Sequence, residues 1–302
     1  MGFVVHAFGW RIACVAAVFW GTNYLAPFSW TGGSILRQDW LAALVIGICL
    51  LRRERPLAAG VLLGSAALLR VFPVLAPVGV ALAVAGRMWS QRRIALYPAQ
   101  RRFAAGLALA VLAIVPLSAI ATGGLGSWLD FAANSRLHLA TPLANHVGLK
   151  TVLSYDHENR TEQAGDASLA DPMQAWKEAR RSTFEGRRWL FAALVLLYAL
   201  LVARAASTHP DWVGAVLGVT LVAVATELTG YYWSALLVLA FLMGCRPVMG
   251  AALCALAAVG WWIGDHWHWT DEIHVWQSVA TLAFCAFATR LMTEDSANAA
   301  HA

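Results

Sequence analysis

The stretch Gly33–Pro77, GSILRQDWLAALVIGICLLRRERPLAAGVLLGSAALLRVFPVLAP, decides how the rest of the chain is read. Arg37, Gln38 and Asp39 head one apolar run, and Arg52, Arg53, Glu54 and Arg55 close it. The next apolar run is interrupted by a single Arg70, just before Phe72-Pro73. An ionisable side chain inside a hydrophobic segment costs roughly 2.5–3.5 kcal/mol on insertion into lipid, and it survives where it faces a protein cavity. Position alone makes Arg70 a candidate site residue.

Outward from this stretch the pattern repeats. The chain is 60% hydrophobic and only 13% charged, with apolar runs broken by short basic clusters, which excludes an ordinary soluble domain. Helices satisfy their own backbone groups in hydrocarbon, and the alternating ten-residue segments of a membrane barrel are absent. The expected class is all-α: one polytopic transmembrane domain over 1–302, of about ten segments. They fall near 9–27, 39–51, 57–71, 74–87, 104–121, 189–205, 212–226, 233–244, 250–263 and 276–291. Several are shorter than the roughly 20 residues of a full span. The pairs 57–71/74–87 and 212–226/233–244 read as helical hairpins with polar tips, Arg70–Pro73 and Glu227–Ser234.

Charge orients the bundle. The short linkers 52–56, 87–103 and 245–247 are rich in arginine, whereas the opposite turns hold only Arg37 and Arg70, so the basic side is cytoplasmic by the positive-inside rule. The net charge of +5 thus reports topology, and nucleic acid is not an expected partner. The two hairpin tips, the 28–39 turn, the 122–188 loop and the 264–275 loop then share the outer face. Trp30, Trp40, Trp128, Trp233, Trp267, Trp269 and Trp276 form an interfacial belt near it. The five cysteines lie in or beside apolar runs without CxxC spacing and read as small buried residues.

The outer polar residues carry two readings each. Arg70 either snorkels to the interface or pairs with Asp39, or it grips an anionic headgroup through its guanidinium fork. Asp39, with Arg37 and Gln38, either decorates a helix N-terminus or orients a substrate. Glu227, beside Tyr231 and Tyr232, is either a buried acid bonded to a tyrosine or a carboxyl of raised pKa that serves catalysis or sugar binding. His266, His268 and His274 offer HxH spacing, but an aromatic interfacial loop fits them better than a metal site, and no metal or cofactor is expected. The 122–188 loop exceeds a mere connector. Its segment Pro142–Lys150, with His146, suits headgroup or carbohydrate contacts. Its middle, Asp156–Asp171, is polar, and its end carries a helix start signal near Asp171 that suits an interfacial helix before Trp189. No GxGxxG, P-loop, HExxH or GxSxG pattern occurs.

Gln38-Asp39 entering a helix, followed by LLRRERPLAAGVLLGSAALLRVFPVLAP, resembles the "GQ … rrgrp-laG-lLg-aallK-pPll" segment of GT-C membrane glycosyltransferases. The branch it is most similar to is glycosyltransferase family 87, which uses polyprenyl-phosphate mannose. Arg70 stands where that pattern has a Lys or Arg before the proline, and Glu227–Ser234 resembles its later hairpin tip with Tyr231, Tyr232 and Trp233 in place of Trp and His. The resemblance implies a multi-pass enzyme of the bacterial inner (plasma) membrane that moves a sugar from a lipid-linked donor to an acceptor at the outer face. Such chemistry needs an acid as general base and a cation for the leaving phosphate. Arg70 fits the cation; Asp39 and Glu227 are the acids available, with Arg37, Gln38, Tyr231 and Tyr232 in substrate-binding places.

The family's base lies in a first outer loop ahead of the "GQ" segment, and the residues before Gln38 contain no Asp or Glu. The expectation is therefore the C-terminal portion of such an enzyme, a split enzyme whose partner chain supplies the loop, or a non-catalytic relative. A transporter, lipid carrier or assembly subunit is the alternative function, with membrane lipid as its partner.

Overall fold

The apolar runs fold into helices wherever the sequence places them. The computed structural model describes residues 1–28, 34 and 37–301; Trp30 and most of the 28–39 turn lie outside the described residues. In chain order the helices are α1 (Gly2–Phe8), α2 (Trp10–Thr22), α3 (Asp39–Arg52), α4 (Pro56–Leu69), α5 (Leu75–Gln91), α6 (Pro98–Thr122) and α7 (Gly126–Ala140). They continue with α8 (Leu149–Leu153), α9 (Thr161–Ala164), α10 (Gln174–Ser207), α11 (Asp211–Ala225), α12 (Val248–His266) and α13 (Thr270–His301). A 3-10 turn, Phe72–Val74, leads into α5, and a longer 3-10 helix, Gly230–Gly244, follows α11.

The chain is 79% helical, which makes the class all-α. Among the described residues, five stretches are long and apolar enough to cross a membrane: Phe72–Gln91, Pro98–Thr122, Gln174–Ser207, Val248–His266 and Thr270–Glu294. The other apolar helices, Trp10–Thr22, Pro56–Leu69, Asp211–Ala225 and Gly230–Gly244, are shorter. Large apolar side chains face outward on the long helices, among them Leu112, Leu117 and Ile120 of α6 and Leu196, Leu197 and Leu200 of α10. Contiguous exposed apolar surface of this kind marks a membrane-facing wall.

At the centre stands the hairpin of α11 and the 3-10 helix. Trp212–Val224 is buried on all sides, as is Trp233–Leu242, which is what all-round hydrophobicity produces in a helix. Small residues let the backbones close up. A Cβ added at Gly79 of α5 would stand 2.1 Å from the carbonyl oxygen of Gly214 in α11, so this crossing admits only glycine.

The helices run between two ends of different character. At one, Arg87 pairs with Asp211 and donates from Nη1 to the His209 carbonyl at 3.0 Å, while Arg52 lies over the Trp212 ring. At the other, the hairpin tips meet the long loops. There α4 stops at Leu69, where Arg70 turns extended (φ −146°, ψ 138°) before the 3-10 turn Phe72–Val74. The strand pair β1 (His146–Val147) and β2 (Leu228–Thr229) is antiparallel, with His146 opposite Thr229, and ties the long loop to the tip after α11. The helix start near Asp171 leads into α10, which runs unbroken to Ser207 instead of forming a separate helix before Trp189.

Candidate functional site

Arg70 lines a cavity of about 340 Å³ between the two hairpin tips and α7. Leu69, Val71, Phe72 and Phe131 supply its apolar wall, and Ser135, His138, His146, Glu227 and Tyr232 its polar groups. Below Arg70 three rings meet edge to face. Phe72 is 4.9 Å from both Trp40 and Tyr232, and Trp40 is 5.9 Å from Tyr232. Arg70 donates from Nη1 to its neighbour's carbonyl, Leu69 O, at 3.0 Å, while its Nε is buried with no hydrogen-bond partner among the described residues. A guanidinium with unused donors above an aromatic floor suits an anionic group carrying an apolar tail.

The residues ahead of α3 divide. Gln38 is buried and accepts a 2.7 Å hydrogen bond from Trp20 Nε1, so it pins the start of α3 to the end of α2. Asp39 is exposed, accepts from the Trp40 backbone N–H in the first turn of α3, and is not among the residues lining the cavity. No ion pair joins it to Arg70 among the described residues. Arg37 is exposed, yet both it and Arg70 lie close enough to Tyr232 to act on its hydroxyl electrostatically. Tyr231 packs against Tyr232, ring centres 4.1 Å apart and tilted by 42°, and faces a different hollow beside Tyr24, Trp261 and His274. The structure thus gathers Arg70, Glu227 and Tyr232 on one cavity, with Arg37 near it, and sets Asp39, Gln38 and Tyr231 aside.

Glu227 sits on the wall between this cavity and a second one of about 240 Å³ that contains Lys150, Arg180 and Arg181. Only 7% exposed, it forms the centre of an ionic hub. Its Oε1 accepts from Arg180 Nη2 at 3.0 Å and from Thr151 Oγ1 at 3.3 Å. Its Oε2 lies 2.9 Å from Lys150 Nζ and 3.7 Å from His146 Nδ1. Arg180 reaches on to Asp271, 3.7 Å from Nη1, and Asp271 also accepts from Trp176 Nε1 at 3.0 Å and from the Thr161 hydroxyl.

Burial pushes the Glu227 carboxyl up, but the nearby His146 and the charges of Lys150 and Arg180 outweigh it and bring it down to about 2. The carboxyl is therefore lowered, not raised, and its partners are cations rather than a tyrosine. A carboxylate held ionised in this way is a poor proton acceptor near neutral pH. Gly148 lets the hub close. It has φ +142°, and a Cβ there would stand 2.4 Å from the Thr226 carbonyl oxygen, so only glycine brings β1 so near the end of α11.

Asp271 and Thr151 had no signal in the sequence beyond lying in outer loops. Lys150, His146 and Arg180 stand in stretches already marked as polar, without their pairing. His274 bonds to the Thr270 carbonyl and His266 stacks on Trp262, and among the described residues no group of three or more His, Cys, Asp or Glu side chains is arranged to hold a metal. Among known protein families, curated proteins and solved structures, none matches this chain.

Proposed function

We propose that this chain is an integral-membrane protein whose Arg70 cavity takes the phosphate of a lipid-linked sugar donor, as in a GT-C glycosyltransferase or its C-terminal portion. The observation that carries the reading is the Arg70 side chain itself. It has no carboxylate partner among the described residues, and it opens on a cavity with an apolar wall and an aromatic floor. The shorter apolar helices complete a bundle of about ten passes on this reading, with the cavity end facing the outer side of a bacterial inner membrane.

Arg70 steadies the charge that develops on the leaving phosphate, Tyr232 shapes the floor, and Arg37 adds positive potential. The base that deprotonates the acceptor comes from elsewhere, for instance from a partner chain. A second reading has a specific observation in its favour: of the two candidate acids, Glu227 is engaged by cations and Asp39 is absent from the cavity lining. A non-catalytic lipid carrier or assembly subunit would use the same cavity to bind without chemistry.

Both readings are tested with radiolabelled polyprenyl-phosphate mannose. Binding and transfer by membranes containing the wild type, both lost in Arg70→Ala, support the transferase. Binding without transfer supports the carrier. Neither binding nor transfer across several lipid-phosphate sugars sinks both.

A further inference from the structure

A second lipid-sized feature lies away from Arg70. Beneath α8, the helices α10, α11 and α13 leave a groove of about 250 Å³ lined by Leu149, Leu194, Leu197, Leu201, Val224 and Leu282. Tyr198 also borders it, but its hydroxyl bonds to the Cys285 carbonyl at 2.9 Å. A hollow lined in this way does not retain water. Since α10 and α13 are both long and apolar enough to cross a membrane, hydrocarbon is the medium at hand to fill it.

The polar end of the groove is defined by α10 itself. Arg187 stands seven residues before Leu194, two turns and about 10 Å up the same helix face. It is exposed and donates from Nη1 to the Leu153 carbonyl at 3.0 Å, at the end of the short helix that begins with Leu149 in the groove wall. Among the described residues Arg187 has no carboxylate partner, whereas its neighbour Arg188 faces Glu185 at 3.8 Å. Trp189, 72% exposed, follows directly. Exposed tryptophan beside arginine at the head of an apolar helix is the signature of the headgroup layer.

We propose that this groove holds an acyl chain of an anionic phospholipid from the surrounding membrane, with the lipid phosphate on Arg187. Its charge selects the anionic lipid, and the face shared by Arg187, Leu194 and Leu201 joins headgroup to chain. The site makes no use of Arg70 and stands or falls apart from the donor cavity.

Purified protein is equilibrated with equal phosphatidylglycerol and phosphatidylethanolamine of identical chains, and the retained lipid is counted by native mass spectrometry. The wild type is expected to retain phosphatidylglycerol preferentially, and Arg187→Ala to lose about fivefold of that preference. Arg187→Lys should restore most of it. Ala286 of α13 also lines the groove, and Ala286→Trp, which fills it, should reduce retention of both lipids. Equal retention of the two lipids by the wild type overturns the proposal, as does unchanged retention in Arg187→Ala. Polyprenyl phosphate displacing phosphatidylglycerol from this site overturns the phospholipid as its occupant. Arg187 is exposed, so its variants carry the test should the groove-filling protein fail to fold.

Discussion

Two polar features share one end of this bundle, and they are built in opposite ways. Glu227 is an acid whose oxygens face Arg180, Thr151, Lys150 and His146. Arg70 is a cation that bonds to the carbonyl next to it and whose Nε has no hydrogen-bond partner among the described residues. From sequence the two look alike, each an ionisable residue at the tip of a hairpin. The hub spends its charge internally, joining segments that lie far apart in the chain, whereas Arg70 keeps its charge for something else. An ionisable group at membrane depth is a site hypothesis only until its partners are counted.

The sharpest break of this contrast comes from the hub. Arg180→Ala or Glu227→Ala breaks a buried ion pair and leaves its other member only partly compensated, and each should destabilise the protein by about 3–5 kcal/mol in thermal or denaturant unfolding in detergent. The double variant should lose clearly less than the sum, because the two residues share one interaction. If both single variants unfold like the wild type, the hub is not structural and the contrast fails. Arg70→Ala sharpens the other side. Unfolding should shift by no more than about 0.5 kcal/mol. Affinity for a polyprenyl phosphate should fall by about 1.5–3 kcal/mol, the worth of a charged hydrogen bond.

Gly79→Ala tests whether the site end is held by the central crossing. Overpacking against Gly214 should cost about 1–3 kcal/mol of stability while lipid-phosphate affinity per folded molecule is kept. The smallest effect concerns pH. A carboxyl lowered from 4.5 to about 2 by folding adds stability that is fully present above 4.5 and is lost as pH falls through about 2. Tryptophan fluorescence should therefore show no hub-dependent change between pH 5 and 8, and a Glu227→Gln protein should lose the acid transition. A wild-type transition near pH 6 would mean that the hub is not held by an ionised Glu227.

Much of the architecture was legible in the sequence, because apolar runs separated by arginines leave the chain few alternatives in lipid. The gathering of the hairpin tips and long loops at one end followed from charge alone. Pairing did not. Arg180 and Asp271 read as ordinary loop charges, since nothing local says that residues 47 and 95 positions apart will meet around Glu227 and Trp176. Gln38 suggested substrate contact by its place beside Asp39, yet its bond to Trp20 makes it a strut between α2 and α3. The start of α10 misled for a related reason: the polar turn near Asp171 marks a helix beginning, but the polar face of a long helix and that of a short interfacial one look the same.

The 3-10 helix Gly230–Gly244 changes what a residue count means here. Fifteen residues wound in this way rise about 2.0 Å each and reach about 30 Å, where an α-helix of the same length reaches about 22 Å. That reach equals the thickness of a bilayer's hydrocarbon core. Fifteen residues are thus drawn out as far as about twenty would be in an α-helix, and Tyr232, near the start of the segment, lines the cavity.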